Sequence, residues 1–463
     1  MTKFTCTSPV DGSVYAERAV TTDADARTAF AAARRAQADW AALPIAKRAE
    51  YCTAMVDAML SMKDEIATEL AWQMGRPISQ GAGELGGFEE RARHMIAIAE
   101  DALAPIDVGP KEGFTRAINR VPLGVVFVLA PWNFPYLTAV NSIIPALMAG
   151  NAVVLKHAEQ TFLTGERFAR AAEMAGLPDG LFANIAVTHD QTARLIRERL
   201  ADQVNFTGSV GGGAAIETAA AGTFAGVGLE LGGKDAAYVL ADADLDFAIE
   251  NLADGAFFNS GQSCCGIERI YVHADLHDAF VEGLAAFVQR SFTLDTPLDK
   301  ATNLGPLVRT SAADFVRGQI DAAVAAGARA CVDTSAFSRD AKGTPYMAPQ
   351  VLSNVDHSMS VMTDESFGPV VGIMKVADDA EAIRLMNDSE FGLTGSLWSR
   401  DLARVEQLAP QVEAGTVFMN RCDYLDPALA WTGIRHSGRG TTLSRVGYEA
   451  LSRPKSYHFR HAI

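Results

Sequence analysis

The sequence of 463 residues has no run of about 20 apolar residues, the length that a helix needs to cross a bilayer. Its most apolar stretch, residues 123–140, is interrupted by Pro131, Asn133 and Pro135. The first residues also lack the apolar core of a signal peptide. We therefore expect a cytoplasmic protein without a membrane partner.

Positive charge and cysteine pairs are scarce as well. Forty Lys and Arg residues stand against 56 Asp and Glu residues, and the resulting net charge of −16 repels nucleic acid and anionic membranes. The six cysteines include no CxxC pair and are scattered over a long chain, which favours reduced thiols over a disulfide framework. We expect no nucleic-acid partner.

The composition that remains is that of a folded protein, with 49% hydrophobic and 21% charged residues. The length suits two or three domains. Helical spacing of apolar residues predicts that the first hundred residues are mainly helical, with helices at about 22–40, 46–74 and 85–104.

After residue 122, short apolar strands alternate with amphipathic helices. This alternation predicts an α/β fold with a doubly wound, Rossmann-like parallel sheet followed by a second α/β unit. The predicted strands lie at 124–130, 151–155, 181–187, 204–206, 236–240 and 269–272, and the predicted helices at 136–148, 161–175, 244–258 and 277–289. Residues 108–121 read as a connecting hairpin, and the alternating tail, 452–461, as a strand of an assembly module or of its own domain.

Cys264 lies in the densest motif, Gly261-Gln-Ser-Cys264, just after a predicted helix. A thiol presented by such a turn is a candidate nucleophile, although an isolated cysteine is more often a buried structural residue. The string also resembles the caspase-type motif, whose histidine lies about 50 residues upstream. Because no histidine lies between His189 and His273, we set a cysteine protease aside.

Three further motifs offer groups for catalysis and cofactor binding. Glu230, beside a glycine pair, is a candidate general base, although it could instead form an ion pair with Lys234. Asn133, after a predicted strand, offers an amide donor that suits an oxyanion hole. The glycine-rich turn at 206–213 precedes a helix, where a pyrophosphate could bind.

His273 and His277 have the spacing of a metal-binding pair, but no third ligand accompanies them. Surface histidines are the better interpretation, and we expect no metal site.

Together these motifs resemble those of the aldehyde dehydrogenase superfamily, of the NAD(P)-dependent, non-phosphorylating kind. The resemblance extends in order along the chain from Thr7-Ser-Pro-Val-Asp-Gly12 to Lys455. The matching strings are Pro131-Trp-Asn-Phe-Pro135, Lys156-His-Ala-Glu159, Phe206-Thr-Gly-Ser209, Glu230-Leu-Gly-Gly-Lys234, Gly261-Gln-Ser-Cys264, Glu365-Ser-Phe-Gly-Pro369 and Ser437-Gly-Arg-Gly440.

The resemblance implies that Cys264 attacks an aldehyde, that Asn133 and the Cys264 backbone N–H stabilise the oxyanion, and that Glu230 activates water. It also implies an NAD site formed by several residues. One of them, Lys156, is also a candidate catalytic residue. The implied cofactor-binding residues are Trp132, Lys156, Glu159, Gly208, Ser209, Gly232, Glu365 and Phe367. Glu159 at the adenosine ribose favours NAD, whereas Lys156 leaves NADP possible.

The family fold implies a cofactor domain at 1–103 and 122–234, a catalytic domain at 235–445, and a small β oligomerisation module at 104–121 and 446–463. We expect a homodimer or homotetramer. The chain begins close to the family's first turn and is therefore expected to lack the usual extra N-terminal strands.

The sequence thus predicts NAD-dependent oxidation of an aldehyde to a carboxylic acid. Two alternatives stay open: a CoA-acylating enzyme, and a catalytically idle structural or binding protein with the same fold. The aldehyde itself is not specified, but Asp423, Tyr424 and Asp426, together with residues 136–141, are possible pocket groups, which makes a cationic amino-aldehyde conceivable.

Overall fold

The computed structural model describes residues 2–461, so Met1 and the last two residues of the predicted oligomerisation module, 462 and 463, lie outside the described residues. The strands are β1 (Lys3–Thr7), β2 (Val14–Ala19), β3 (Phe114–Pro122), β4 (Val125–Ala130), β5 (Ala152–His157), β6 (Phe182–Asn184), β7 (Gln203–Thr207), β8 (Gly226–Glu230), β9 (Asp235–Val239), β10 (Ile267–His273), β11 (Arg329–Ala330), β12 (Gln350–Ser353), β13 (Val370–Val376), β14 (Thr394–Trp398), β15 (Thr416–Met419), β16 (Gly438–Arg439) and β17 (Ser452–Arg460).

The α-helices are α1 (Asp23–Ala42), α2 (Ile45–Ser61), α3 (Lys63–Met74), α4 (Ile78–Ala102), α5 (Pro135–Met148), α6 (Phe162–Met174), α7 (His189–Arg197), α8 (Val210–Ala220), α9 (Leu245–Phe257), α10 (His277–Ser291), α11 (Thr310–Ala325), α12 (Ser360–Thr363), α13 (Asp379–Asn387), α14 (Leu402–Leu408) and α15 (Ser444–Ala450). No helix within residues 2–461 combines the length and the apolar character needed to cross a membrane.

The first sheet has six strands in the order β16-β8-β7-β4-β5-β6. All of them run parallel except the short edge strand β16. Strands β4 and β5 are apolar throughout most of their length because helices cover both faces and bury every residue. This sheet confirms the predicted doubly wound α/β arrangement.

The second sheet has seven strands in the order β11-β12-β13-β10-β9-β14-β15, again mainly parallel. It has apolar cores on both faces, one of which contains Ile270 and Phe280 and the other Tyr238 and Tyr271. The second α/β unit is therefore confirmed as well.

The N-terminal region differs from its prediction in three ways. Strands β1 and β2 form an antiparallel hairpin, so the first hundred residues are not helical from their start. The predicted helix at 46–74 is two helices, because Met62 leaves the helical conformation. Helix α4 begins at Ile78, directly after Pro77, and not at residue 85.

The hairpin predicted at 108–121 is present only as two isolated antiparallel bridges, between Ile106 and Ile118 and between Lys111 and Phe114. The strand of this segment, β3, pairs along its whole length with the tail strand β17, from Ser452 opposite Pro122 to Arg460 opposite Phe114. The predicted tail strand is confirmed, and the two strands form a separate two-stranded ribbon.

The chain returns to the first sheet after it has completed the second. Trp431, Leu443 and Tyr448 belong to the apolar core around the first sheet, and β16 pairs with β8, with Gly438 opposite Glu230. These residues fall mostly within the range predicted for the catalytic domain. The division of the chain into domains stays a prediction, and the structure adds this return segment to the first sheet.

Candidate active site

The Cys264 turn begins with a left-handed stretch of backbone. After α9, the residues Asn259, Ser260 and Gly261 have φ angles of 52°, 57° and 71°. Such angles are unfavourable for residues with a side chain and tend to occur at functional sites. The Asn259 side chain holds the turn by donating from Nδ2 to the Gln262 carbonyl at 3.2 Å. The turn delivers Cys264 to the start of β10.

The two adjacent thiols have different surroundings. Cys264 is partly exposed, whereas Cys265 is buried and donates from Sγ to Asp423 Oδ1 at 2.9 Å. Ser263 Oγ donates to the same carboxylate oxygen at 3.0 Å. The hydrogen bond with Cys264 and burial raise the pKa of Cys265 well above its ordinary value. Of the two, Cys264 is therefore the thiol available to a ligand.

Glu230 is the last residue of β8, and two hydroxyl groups hold its carboxylate. Thr442 Oγ1 donates to Oε1 at 2.5 Å, and Thr207 Oγ1 donates to Oε2 at 3.3 Å. Burial raises the pKa of Glu230, a shift that brings a carboxylate closer to the range of a general base near neutral pH. The alternative ion pair with Lys234 is not formed, because Lys234 Nζ donates to Glu268 at 2.5 Å.

Cys264 and Glu230 line the same cavity, which has a volume of about 360 Å³. Residues of α4 and α5, the loop that contains Asp423, and Trp431 form the rest of its wall. The backbone also brings the two motifs together, because a Cβ atom on Gly233 would collide with the Cys264 carbonyl oxygen. The cavity can thus present one aldehyde carbon to both groups.

The predicted pocket groups lie partly where they were expected. Asp423 and Tyr424 line the cavity, but Asp426 does not. Burial raises the pKa of Asp423 to about 7. Within the predicted segment 136–141, the lining residues are Leu137, Thr138 and Asn141, while the Tyr136 ring is buried among the helices.

Asn133 lies behind the Cys264 turn, outside the cavity lining. Its Nδ2 donates to the Gln262 carbonyl at 3.2 Å, and its own carbonyl accepts from Arg76 Nη2 at 2.5 Å. The structure therefore connects Asn133 to the nucleophile turn through Gln262, two residues before Cys264.

A buried ion pair that the sequence analysis missed supports this corner of the site. The Arg76 guanidinium pairs with Glu84 and lies over the Phe134 ring, 4.4 Å from its centroid. Glu84 Oε1 also accepts from the backbone N–H groups of Tyr136 and Leu137 at the start of α5. Arg76 lies just beyond the helix predicted at 46–74, and no local pattern there could have revealed its pairing with Glu84.

Predicted cofactor-binding residues gather where the parallel strands of the first sheet end. Trp132 follows β4, Lys156 lies near the end of β5, and Gly208 and Ser209 follow β7. This edge of a doubly wound sheet is where dinucleotides bind. Glu159, in the turn after β5, is exposed to solvent.

The donors at this edge suit an anionic, hydroxyl-rich ligand. Ser209 caps α8 by accepting from Gly212 N at 3.2 Å, and this helix directs its N-terminal N–H groups towards the edge. Lys156 is buried, and within residues 2–461 its ammonium group has no hydrogen bond or ion pair. Burial lowers the pKa of Lys156. The residues present therefore fit a dinucleotide.

A third group of predicted residues lies between this edge and Cys264. Glu365 Oε1 accepts from Gly233 N at 3.0 Å, and burial raises the pKa of Glu365 to about 7. Gly232 packs so closely on the Glu365 carboxylate that a Cβ atom would collide with it. The Phe367 ring meets Trp132 edge to face, with 5.6 Å between centroids.

The two histidines that had metal-binding spacing are held by neighbouring carboxylates. His273 lies near Asp275, and His277 Nδ1 lies 2.7 Å from Asp278 Oδ1. Among residues 2–461, no cluster of three or more His, Cys, Asp or Glu side chains could hold a metal ion.

Known proteins are similar to this chain over nearly its whole length. The model of the aldehyde dehydrogenase family matches residues 1–457. A 3,6-anhydro-alpha-L-galactose dehydrogenase of Streptomyces coelicolor is 37% identical over 98% of this chain and 93% of its own length. A succinate-semialdehyde dehydrogenase [NADP(+)] of Mycolicibacterium paratuberculosis is 33% identical, over 97% of this chain and 95% of its own.

A similar structure has been solved for an NAD-dependent aldehyde dehydrogenase from Sinorhizobium meliloti. It is 32% identical in sequence, with a TM-score of 0.94 over 100% of this chain and 92% of the other.

Proposed function

Because this chain belongs to the aldehyde dehydrogenase family, we propose that it oxidises an aldehyde to a carboxylic acid, with NAD as the hydride acceptor. The observation that carries the proposal is one cavity lined by both a partly exposed thiol, Cys264, and a partly buried carboxylate, Glu230.

The proposed reaction has two halves, both on Cys264. The Cys264 thiolate attacks the carbonyl carbon to form a thiohemiacetal, and loss of a hydride from that carbon leaves a thioester. Bound NAD supplies the hydride acceptor. Glu230 then takes a proton from water as its oxygen attacks the thioester, and the Cys264 thiolate leaves with the carbon–sulfur electron pair. In sum, one aldehyde, one water and one oxidised cofactor yield a carboxylic acid, a reduced cofactor and a proton.

We assign stabilisation of the oxyanion to Asn133 and to the backbone N–H of Cys264. Asn133 supports this assignment by its contact with the nucleophile turn at Gln262, two residues before Cys264. Arg76 and Asn259 both donate to the backbone carbonyl of Asn133 and so fix this residue beside the turn. A neutral donor on a fixed backbone suits the role, because catalysis favours donors that are already in position when charge develops.

We assign the cofactor to the edge of the first sheet. Lys156 and Glu159 would hold the adenosine ribose, Ser209 and Gly208 the pyrophosphate, and Glu365 the nicotinamide riboside, with Trp132, Gly232 and Phe367 beside it. The carboxylate of Glu159 would repel a 2′-phosphate, which supports NAD over NADP. The relatives include both kinds, since one is named for NADP(+) and another for NAD.

The β3–β17 ribbon supports the proposed oligomerisation module. A two-stranded ribbon has little core of its own and is stabilised when another sheet or subunit covers it. We propose a homodimer or homotetramer, to be measured by light scattering after gel filtration. Removal of 446–463 should then yield monomers or an insoluble chain.

The substitution Glu230→Gln tests the hydrolytic half. It preserves side-chain shape but removes the base, so steady turnover should fall by about 10²- to 10⁴-fold while the acyl group accumulates on the enzyme. Intact mass after mixing with aldehyde and NAD would show the added acyl group. The Cys264→Ala variant is the control and should carry no adduct, whereas Cys265→Ala should form one.

The same experiment separates the alternatives. Normal turnover by Glu230→Gln, or release of acyl-CoA in preference to acid when CoA is added to the wild type, would favour the CoA-acylating enzyme. A wild-type chain that binds NAD but forms neither an adduct nor reduced cofactor with any of a panel of aldehydes would favour the catalytically idle protein.

A further inference from the structure

The cavity beside Cys264 contains a cation without an ion-pair partner. Arg91, on α4, is only 8% exposed and lines the cavity together with Cys264 and Glu230. Its Nη1 donates to the Leu137 carbonyl at 2.8 Å, but no carboxylate among residues 2–461 lies within ion-pair distance of it. The other N–H groups of this guanidinium have no partner in the described part of the chain.

Three other buried cations near the two sheets have their charge balanced, whereas Lys156 lies at the proposed cofactor site. Arg76 pairs with Glu84, and Lys234 pairs with Glu268. Arg269 lacks a carboxylate partner, but four backbone carbonyls surround it, three of them at the end of α13. A helix C-terminus partly neutralises a cation in this way.

An unpartnered amide lies next to Arg91. Asn141, on α5, is 2% exposed and also lines the cavity, and its Nδ2 has no hydrogen-bond partner among residues 2–461. Its Oδ1 lies 3.5 Å from Arg91 Nη1, so the two side chains face the same space. Together they present N–H donors without acceptors, which is costly in a buried site unless a ligand supplies the acceptor.

Four carboxyl groups also line the cavity, those of Glu90, Glu230, Asp254 and Asp423, but none of them lies within ion-pair distance of Arg91. Asp423 accepts from Ser263 and Cys265, and Tyr424 donates to Glu90. Burial raises the pKa of Asp423 to about 7, so this carboxyl group can become neutral by binding a proton. A guanidinium cannot lose its charge in this way. Asp423 can therefore give up its charge when an anion binds, whereas Arg91 keeps its own.

Building on the proposed oxidation, we propose that the substrate is an aldehyde that also carries a carboxylate, bound by the Arg91 guanidinium with help from the Asn141 amide. A guanidinium binds a carboxylate through two parallel hydrogen bonds, which would fix the far end of the substrate while Cys264 attacks the near end. This substrate class replaces the cationic amino-aldehyde that the acidic loop residues suggested.

A different role for Arg91 must be separated from this one. Burial raises the pKa of Glu230 and the charge of Arg91 opposes this shift, so Arg91 could act by favouring the ionised carboxylate of Glu230. In that case the loss of Arg91 would affect every aldehyde equally. Binding of a substrate carboxylate would affect only aldehydes that carry one.

The test compares succinate semialdehyde with butanal, which has the same four-carbon chain but no carboxylate. We expect the wild type to show kcat/KM about 10- to 100-fold higher for succinate semialdehyde, and Arg91→Gln to bring the ratio of the two values close to one, chiefly through KM. Arg91→Lys should retain part of the preference. The matched control is Arg93→Gln, because Arg93 lies on the same helix but faces Asp57 and Glu89 outside the cavity.

A binding measurement provides a readout that does not depend on turnover. Calorimetry with the Cys264→Ala variant should detect succinate but not butanamide, and adding Arg91→Gln should weaken succinate binding at least about 10-fold. Thermal melting of Arg91→Gln, expected to match that of the wild type, checks that the variant folds.

The outcomes keep the two proposals apart. Three results would overturn the carboxylate site while leaving aldehyde oxidation intact. The first is an equal fall in kcat/KM for both aldehydes in Arg91→Gln, and the second is a wild-type preference for butanal or 4-aminobutanal. The third is equal succinate affinity with and without Arg91. If the wild type oxidises no aldehyde with either cofactor, the proposed function fails, and succinate binding alone decides whether Arg91 is an anion site.

Discussion

Buried charges behind the active site differ from those inside its cavity. Behind the Cys264 turn, Arg76 pairs with Glu84, and below the sheet end Lys234 pairs with Glu268, whose Oε1 and Oε2 also accept backbone N–H groups. Inside the cavity, no carboxylate of residues 2–461 lies within ion-pair distance of Arg91. Paired charges hold parts of the chain in place, whereas an unpaired charge is poised to meet a ligand.

Acids offer a second contrast with Arg91. Asp235 is buried, and within residues 2–461 its carboxyl group has no ion pair and accepts hydrogen bonds only from Thr394, from the backbone N and from Oγ1. Burial raises the pKa of Asp235 from 3.8 to about 8, so it can stay neutral by keeping its proton. A buried carboxyl group can therefore be structural without a cation, while a buried guanidinium needs acceptors.

The largest expected effect is on the ion pair behind the site. Glu84→Gln would leave the Arg76 guanidinium buried and facing an amide, which should reduce the free energy of unfolding by about 3–5 kcal/mol. Chemical denaturation measures this loss. The control is Glu89→Gln on the same helix, where the exposed pair with Arg93 should contribute less than about 1 kcal/mol. Equal losses in the two variants would contradict the structural role assigned to the buried pair.

A smaller effect, which depends on pH, is expected at Asp235. Because its pKa is raised in the folded state, the folded chain binds a proton that the unfolded chain has released between about pH 4 and 8. Wild-type stability should therefore fall as pH rises through this window, by up to about 1.4 kcal/mol per pH unit from this group. Asp235→Asn cannot titrate at this position and serves as the reference. The free energy of unfolding of the wild type minus that of Asp235→Asn should decrease as pH rises. A difference that does not change with pH would show that Asp235 is ionised in the folded chain.

The smallest effect concerns an exposed charge. Glu159 lies in solvent at the proposed ribose site, where water screens its repulsion of a 2′-phosphate. Glu159→Gln should lower the preference for NAD over NADP by only about 2- to 5-fold in kcat/KM, equivalent to less than about 1 kcal/mol. A wild-type enzyme that prefers NADP would show instead that Lys156 dominates the site.

Local patterns were sufficient for most of the fold, and failed where the partner is distant in sequence. The apolar runs that became β4 and β5 needed no information beyond their own residues. The hairpin expected at 108–121 is reduced to two isolated bridges because β3 pairs along its length with β17, more than 300 residues later. For β1 a local signal did exist, since Phe4 and Cys6 alternate with polar residues and are both buried.

The site shows the same division. Cys264 and Glu230 could be selected by their motifs, and the structure places them on one cavity, while their roles stay predictions. Arg91 was missed because nothing about a lone arginine on an amphipathic helix indicates that it faces a cavity. The closer of the two hydroxyl partners of Glu230 was missed for a similar reason, since Thr442 lies 212 residues further along the chain.

That distance has a consequence for how the chain folds as it is made. Synthesis proceeds from the N-terminus, so the parallel strands up to β8 leave the ribosome well before β16 and Thr442. Until those residues arrive, the β8 edge of the first sheet lacks its closing strand, and the Glu230 carboxylate lacks its closer hydroxyl partner. The first sheet is thus completed by the last part of the chain, and a nascent protein cannot have a finished active site until its second sheet has also been synthesised.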